Sequence, residues 1–295
     1  MIPTLVGVIL HFHYESDTGE MRYLRPLPAL GRGCMLLLLL GAAVTAPARS
    51  HEEVVAETLT ERLPEEEVIR LFAEGSRFLG LYRNNRAERA RGAVILVHGL
   101  GAHPDWPEVI SPLRRGLPEV GWSTLSIQMP LLSPDRQLAE YGGTVKAGAA
   151  RIHAALNYLL NNKQENIVIV GYGFGAAVAA DYLAANRHKA LRAFVGISMQ
   201  AQAFLNPRLQ LPARLEKIDL PLLDIYGSRD YDEVLKQTDD RRLAGTKNDR
   251  RNYYQITVEG ADHYYTDLDD VLLRQVRGWL ERDKPLPGQT GAGGD

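Results

Sequence analysis

Short apolar runs, many of them rich in β-branched residues, alternate along the chain with longer segments in which apolar residues recur at helical spacing. The runs that predict buried strands are residues 93–97, 123–127, 166–170, 193–197, 222–226 and 254–258. Residues 145–160, with Ile152, Leu156 and Leu159 on one face, and residues 176–185 predict helices between the strands. Because alternating strands and helices favour a parallel sheet covered on both faces, the sequence predicts an α/β fold.

The ends of this core are set by turn and helix signals. Pro64 followed by three glutamates predicts that an amphipathic helix opens there, since proline and acidic residues suit the first turn. A last helix is expected over about residues 268–282, followed by a loose Gly/Pro-rich tail at 284–295. We therefore expect a helical lead-in with the first strands at 49–91 and the main domain at 92–283.

The N-terminal segment has the order of features of a secretory signal peptide. Three arginines precede an apolar run at 34–44, and small residues ending at Ala48 follow it. The run is shorter than the roughly 20 apolar residues that cross a bilayer, so we expect no permanent membrane span after cleavage. Residues 21–48 are predicted to be the signal, and residues 1–20 an extension from a start codon chosen too early. The expected location is the periplasm, with anchoring through an uncleaved signal as the alternative.

Composition removes several classes of function. Lys and Arg number 34 against 36 for Asp and Glu, giving a net charge of −2, so no basic footprint for nucleic acid is present. The one cysteine, Cys34, excludes a disulfide framework and a thiolate zinc site. No metal is predicted, because no histidine–carboxylate spacing such as H-E-x-x-H occurs.

The sharpest motif is an apolar strand that turns through Gly171, Gly173 and Gly175 directly into a helix of small residues. This is the shape of a nucleophile elbow, whose G-x-S-x-G form exposes a serine on a strained turn. Glycine stands at the centre here. The alternative interpretation, a dinucleotide-binding loop, would need a glycine at position 176, where the chain has alanine, so no cofactor is predicted.

Two further motifs surround the elbow in the predicted fold. The segment His98-Gly99-Leu100-Gly101 follows an earlier strand, where an oxyanion-hole amide is expected from Leu100. The second amide would come from Phe174, after the elbow centre. The predicted pocket also includes His98, Gly99, Gly101 and Tyr172. For His98 itself, bracing of the backbone is the favoured interpretation.

Asp230 follows a strand in Tyr226-Gly227-Ser228-Arg229-Asp230, and His263 follows the last strand in Gly260-Ala261-Asp262-His263. With these motifs the chain resembles the α/β-hydrolase superfamily from about Gly92 to Leu280, since the acid precedes the histidine as in that superfamily. More narrowly it resembles an exported bacterial family classified only as a domain of unknown function. The segments that carry this likeness are residues 97–107, 121–126, 223–227 and 277–280.

The resemblance implies an α/β-hydrolase fold and the hydrolysis of esters, amides or related acyl compounds. The chain departs from that pattern at Gly173, because glycine has no side chain that could attack a carbonyl carbon. Three hypotheses remain. The one that the sequence favours is a pseudoenzyme of the cell envelope that binds a ligand or partner. The second is a slow hydrolase in which an Asp230–His263 dyad acts as general base, and the third relocates the nucleophile to Ser198.

Other residues are expected to shape the surroundings of the site. Residues 200–217 predict a short lid whose apolar side chains line an entrance and favour a small apolar or amphipathic ligand, with a loop packed on the core as an equal alternative. The basic run that includes Arg241 and Arg242 is interpreted as a solvated helix face, because acids interleave with it. Trp106 and Trp122 are expected to be packing residues.

Overall fold

One mixed sheet organises the chain, and its strands continue the apolar runs of the sequence. The computed structural model describes residues 49–200, 209–247 and 252–282. The strands are β1 (Val68–Ala73), β2 (Ser76–Arg83), β3 (Gly92–Val97), β4 (Trp122–Ile127), β5 (Ile167–Tyr172), β6 (Leu191–Ile197), β7 (Leu222–Arg229) and β8 (Tyr253–Asp262). The helices are α1 (His51–Arg62), α2 (Ile110–Gly116), α3 (Val145–Asn161), α4 (Phe174–Ala185), α5 (Leu211–Leu215), α6 (Asp232–Leu235), α7 (Thr238–Thr246) and α8 (Asp269–Leu280).

The strands lie in the order β1-β2-β4-β3-β5-β6-β7-β8. β1, β2 and β4 pair in antiparallel fashion, whereas every pair from β4 to β8 is parallel. Because parallel strands share one carboxyl edge, the loops that follow β3, β5, β6, β7 and β8 gather along the same side of the sheet. The predicted α/β class with a mostly parallel sheet is confirmed.

The core forms two layers because side chains alternate along each strand. In β3, Ile95 and Val97 join the cluster beneath α3 and α4, whereas Val94 and Leu96 join the cluster beneath α2 and α8. The predicted last helix is confirmed as α8, whose buried residues include Trp279 on one side of the helix. A strand buried on both faces explains why the central runs are apolar without alternation.

The predicted helix opening at Pro64 is wrong. Helix α1 ends before it at Arg62, residues Glu65–Glu67 form a single 3-10 turn, and strand β1 begins at Val68. Two local interactions decide this. Ser50 and Glu53 form a capping box that starts α1 fourteen residues earlier, and β1 pairs with β2 along its whole length. Sheet pairing therefore outweighs the acidic helix-start signal.

Burial decides two further expectations. Leu209 and Leu211 lie in the hydrophobic core beside α4 and not at an entrance, which agrees with the alternative of a loop packed on the core, because α5 fills the space between α4 and α7. Residues 201–208 of the expected lid lie outside the described residues. Arg241 is fully buried rather than solvated, and its Nε donates to Asp224 Oδ2 at 2.8 Å. The exposed neighbour Arg242 fits the expectation.

The predicted signal peptide, the extension before it and the tail lie outside the described residues. Within residues 49–200, 209–247 and 252–282, no helix is both long enough and apolar enough to cross a membrane.

Candidate functional site

The turn between β5 and α4 holds Gly173 in an unusual backbone conformation. Its φ of 56° and ψ of −124° lie outside the regions that residues with side chains adopt freely. The strand ends at Tyr172 and the helix begins at Phe174, so a single residue reverses the chain. A sharp strand-to-helix turn of this kind is the geometry of a nucleophile elbow.

The two flanking glycines allow the strand and helix of the elbow to approach closely. A β-carbon on Gly171 would lie 2.5 Å from Cα of Ala176, and one on Gly175 would lie 2.1 Å from the carbonyl oxygen of His98. Both distances are far shorter than real contacts, and both obstacles are backbone atoms that cannot move aside. The spacing of glycines in the sequence therefore has a steric cause at the elbow.

The loops after β7 and β8 bring Asp230 and His263 together. The Asp230 carboxylate accepts a hydrogen bond from Nδ1 of His263 at 2.7 Å, and both side chains are buried. The same carboxylate accepts from the hydroxyl of Ser198 at 2.5 Å and from the backbone N–H of Tyr231 at 2.8 Å. With Nδ1 engaged in this way, Nε2 of His263 faces the elbow, where a β-carbon on Gly173 would lie 3.7 Å away.

The electrostatics of Asp230 favour its charged form. Burial alone would raise the pKa of this carboxyl, but the hydrogen bonds from His263 and Ser198 outweigh burial and leave the pKa below its usual value. An ionised Asp230 holds the proton of His263 on Nδ1, so Nε2 is the nitrogen free to accept a proton. This is the orientation that a general base in this position requires.

Three tyrosine rings surround the imidazole of His263, and two of them, Tyr231 and Tyr264, are not among the residues predicted from the sequence. Tyr231 stacks on it with ring centres 4.2 Å apart and planes 16° apart, and Tyr264 meets it edge-on at 5.5 Å. Tyr172 lies on another side at 5.2 Å and donates its hydroxyl proton to the backbone oxygen of His263. The one signal in the sequence was adjacency, since Tyr231 follows Asp230 and Tyr264 follows His263.

The backbone amides predicted for an oxyanion hole stand on the loop after β3 and at the first residue of α4. Neither Leu100 N–H nor Phe174 N–H has a backbone partner within the described part of the chain. For Phe174 this follows from its place in the first turn, where N–H groups have no intrahelical acceptor. Gly99 lets the loop pass close to the ring of Tyr172, because a β-carbon there would lie 3.1 Å from it.

A cleft of about 490 Å³ opens over the elbow and the dyad. Apolar and aromatic side chains form most of its wall, with few polar groups. The lining residues are Gly99, Leu100, Ala102, Trp106, Leu138, Tyr172, Gly173, Phe174, Gln200, Tyr231, Glu233, His263 and Tyr264. The cleft therefore gathers Gly173, His263 and both predicted amide donors at one place, and Trp106 lines it as well as packing.

Two predicted pocket residues lie outside the cleft wall. His98 is buried behind it, where Nδ1 donates to the carbonyl oxygen of Gly99 and Nε2 accepts from the backbone N–H of Met129. These two hydrogen bonds to the backbone correct the assignment of His98 to the pocket and match the bracing interpretation. Burial lowers the pKa of His98 to about 3, so the ring is neutral. Gly101, with a φ of 70°, turns the loop beside the cleft.

Ser198 is not brought to the cleft. Its side chain is fully buried behind Asp230, to which its hydroxyl donates, and its φ of 47° places it in the left-handed region. A hydroxyl committed to the carboxylate is poorly placed to attack a substrate, so this geometry disfavours a relocated nucleophile. In the described ranges no group of three or more His, Cys, Asp or Glu side chains is arranged to hold a metal ion.

A family model described as a protein of unknown function (DUF3530) matches residues 40–141 and 144–282. The chain belongs to this family. No curated protein sequence matches it. Membership carries no reaction with it, so the chemistry must be argued from the site.

Solved structures similar to this chain are α/β hydrolases. Est1E from Butyrivibrio proteoclasticus is 16% identical over 72% of this chain and 97% of its own, with a TM-score of 0.58. Dienelactone hydrolase from Anabaena variabilis is 19% identical over 72% and 95%, also at 0.58. A serine hydrolase without a lid from Xanthomonas campestris is 17% identical over 73% and 95%, at 0.54. The chain has the α/β-hydrolase fold.

Proposed function

We propose that this DUF3530 protein is a hydrolase of ester-type substrates in which His263 activates a water molecule directly. One observation carries the proposal: Nε2 of His263 faces the elbow at Gly173 while Nδ1 is held by Asp230. A protein that only binds a ligand has no chemical need for a buried, oriented carboxylate–imidazole pair. The geometry therefore favours the general-base hypothesis over the pseudoenzyme.

The reaction would proceed in two steps. Nε2 of His263 takes a proton from water, and the water oxygen forms a bond to the carbonyl carbon of the substrate. The negative charge that develops on the carbonyl oxygen is stabilised by the N–H groups of Leu100 and Phe174. The tetrahedral intermediate then breaks its bond to the alcohol oxygen, which receives the proton from Nε2. Asp230 stabilises the imidazolium between the two steps and stays ionised.

Such an enzyme would be slow. General-base assistance contributes about 10²- to 10⁴-fold, and an oxyanion-hole donor a further 10²- to 10³-fold, whereas an acyl-enzyme at Gly173 is chemically impossible. We therefore expect turnover of activated esters with good leaving groups before that of alkyl esters or amides.

Hydrolysis of short- and medium-chain nitrophenyl esters by the purified full chain tests the proposal. Turnover should be lost in His263→Ala, since no general base remains. Ser198→Ala is the matched control for a relocated nucleophile, and we expect it to retain most of the turnover. Activity equal in wild type and His263→Ala would overturn the proposal. Activity lost in Ser198→Ala as well as in His263→Ala would support the third hypothesis.

The second candidate function is ligand binding without turnover, as in the pseudoenzyme hypothesis. It is favoured by Gly173 itself, because the residue that attacks in serine hydrolases is missing. The apolar walls of the cleft would then take a small apolar or amphipathic ligand. We also propose export to the periplasm, which fractionation of cells that produce the full chain would test.

A further inference from the structure

The wall of the cleft combines exposed aromatic rings with a single carboxylate. Tyr231 is 40% exposed and Tyr264 is 41% exposed. Their rings stand at 90° with centres 6.2 Å apart, and the Tyr231 hydroxyl donates to that of Tyr264 at 2.8 Å. The two phenols therefore form a fixed corner that presents ring surface to the cleft.

Glu233 lies beside this corner, in the short helix that follows Tyr231, and its exposed side chain lines the cleft. It makes no ion pair with any described residue. The neighbouring Asp232 pairs with Lys236 at 2.8 Å, which leaves Glu233 as the carboxylate available to a ligand. Arg229, the other base of this segment, donates to the backbone oxygen of Gly260.

Positive charge is missing from the part of the wall that the structure describes. Among the described lining residues, Glu233 contributes a carboxylate and His263 an imidazole, and none is lysine or arginine. Burial and the hydrogen bond to Tyr264 raise the pKa of the Tyr231 hydroxyl, and the negative charges of Asp230 and Asp262 raise it further. Lys236 and Arg229 interact with Glu233 and Asp262 respectively, but neither base lines the described part of the cleft. The charge that this part of the wall offers to a ligand is therefore the carboxylate of Glu233.

We propose that the cleft is selective for ligands that carry a positively charged ammonium group, and that its substrates are esters of an amino or quaternary ammonium alcohol. The ammonium group would lie in the corner of Tyr231 and Tyr264 beside Glu233, since aromatic faces and a carboxylate both attract cations. The ester carbonyl would then point towards His263. This substrate class rests on the proposed hydrolase function, whereas the binding preference does not.

The test compares three butyrate esters with the purified full chain. The alcohols of two of them match in size, choline and its neutral isostere 3,3-dimethylbutanol, and the third is glycolate, which is smaller and carries a negative charge. We expect kcat/KM for the choline ester to exceed that for the neutral isostere by roughly 2- to 30-fold, with the anionic ester hydrolysed most slowly. Equal kcat/KM values for choline and isostere, alongside turnover that depends on His263, would overturn the selectivity but leave the hydrolase intact.

Glu233→Gln should remove most of the charge preference without abolishing turnover of the neutral ester. Glu165→Gln is the matched control, because Glu165 is equally exposed but precedes β5 at the opposite edge of the sheet. Tyr264→Leu should likewise lower the preference. A preference that persists unchanged in Glu233→Gln and in Tyr264→Leu would contradict the assigned corner.

Calorimetric titration with choline and with 3,3-dimethylbutanol separates this inference from the proposed function. Tighter binding of choline that weakens in Glu233→Gln would support the cation site. If no ester is turned over in the same preparation, the cation site would stand and the proposed hydrolase function would be overturned. Binding of neither compound, or of both equally, would overturn the cation site whatever the activity.

Discussion

Nε2 of His263 faces the backbone of Gly173, and a β-carbon added to that glycine would stand 3.7 Å from it. The backbone of Gly173 already has a φ of 56°, which is the conformation that strains a residue with a side chain. The elbow of this α/β-hydrolase fold thus holds a residue that cannot attack a substrate. Substitution at this one position can therefore separate the contribution of the scaffold from that of the nucleophile.

Gly173→Ser is expected to create a covalent hydrolase. The new hydroxyl would come within reach of Nε2 and add a nucleophile to the proposed site with its Leu100 and Phe174 amides, so nitrophenyl ester turnover should rise by about 10²-fold or more. Mass spectrometry after treatment with a fluorophosphonate should show one added phosphonyl group. The left-handed conformation should cost about 1–3 kcal/mol of unfolding free energy.

Gly173→Ala is the control for this change, since it introduces the same backbone strain without a hydroxyl. We expect it to lose a similar amount of unfolding free energy and to remain unlabelled. A variant Gly173→Ser that folds but is neither labelled nor faster than Gly173→Ala would show that the elbow and His263 are not in catalytic register.

The close approach of strand and helix at the elbow gives a second expectation. Gly175→Ala should destabilise the fold by about 3 kcal/mol or more, because its β-carbon would lie 2.1 Å from the carbonyl oxygen of His98. Gly278 lies on the exposed side of α8, and a glycine-to-alanine substitution there brings the added carbon within 4 Å of no neighbouring atom. Gly278→Ala should therefore raise the unfolding free energy by about 0.5–1 kcal/mol. Urea unfolding measures both; equal effects would contradict the steric argument.

Much of this fold could be predicted because its central strands are buried on both faces. Strands β3 and β5 therefore appear in the sequence as unbroken apolar runs. The pairing of Asp230 with His263 was also accessible, since both follow neighbouring parallel strands and so reach the same edge of the sheet.

The remainder depended on contacts between residues far apart in sequence. The acidic turn Glu65–Glu67 before β1 fits the first turn of a helix, whereas pairing with β2 decides that a strand follows. Ser198 could be placed at a strand end, but not with its hydroxyl turned towards Asp230. The corner of Tyr231 and Tyr264 could not be predicted from the sequence either, because the orientation of the two rings follows from the packing of two loops.

The buried ring of His98 should make stability depend on pH. Its pKa is lowered to about 3 in the folded chain, whereas in the unfolded chain it stays near the ordinary value of about 6.5. Between these values the unfolded chain binds more protons, so the folded state loses stability as pH falls. The loss attributable to this histidine should approach about 1.4 kcal/mol per pH unit.

Urea unfolding of wild type and His98→Gln at pH 7, 6 and 5 isolates this effect. The variant should be less stable at pH 7, because a flexible amide replaces the rigid ring that bonds both Gly99 and Met129, but its stability should fall less steeply with acidification. The difference between the two proteins should therefore shrink as pH falls. Parallel curves would show that folding leaves the pKa of His98 unchanged.

The burial of Arg241 predicts a large loss of stability when its charge is removed, and the exposed neighbour Arg242 provides the control. Arg241 and Asp224 are both fully buried, and Asp224 also accepts from Tyr253 and Gln255. Arg241→Met should lower the unfolding free energy by about 3–5 kcal/mol, since it leaves a buried carboxylate without its cation. Arg242→Met, at the exposed next position, should change it by about 0.5 kcal/mol or less.

The double variant Arg241→Met/Asp224→Asn distinguishes loss of the charge pair from loss of packing. Asparagine keeps an acceptor for Tyr253 and Gln255 but carries no charge, so the combined loss should be about 2 kcal/mol smaller than the sum of the single losses. Strictly additive losses would mean that Arg241 stabilises α7 through its hydrogen bond to Val234 and its packing, rather than by neutralising Asp224.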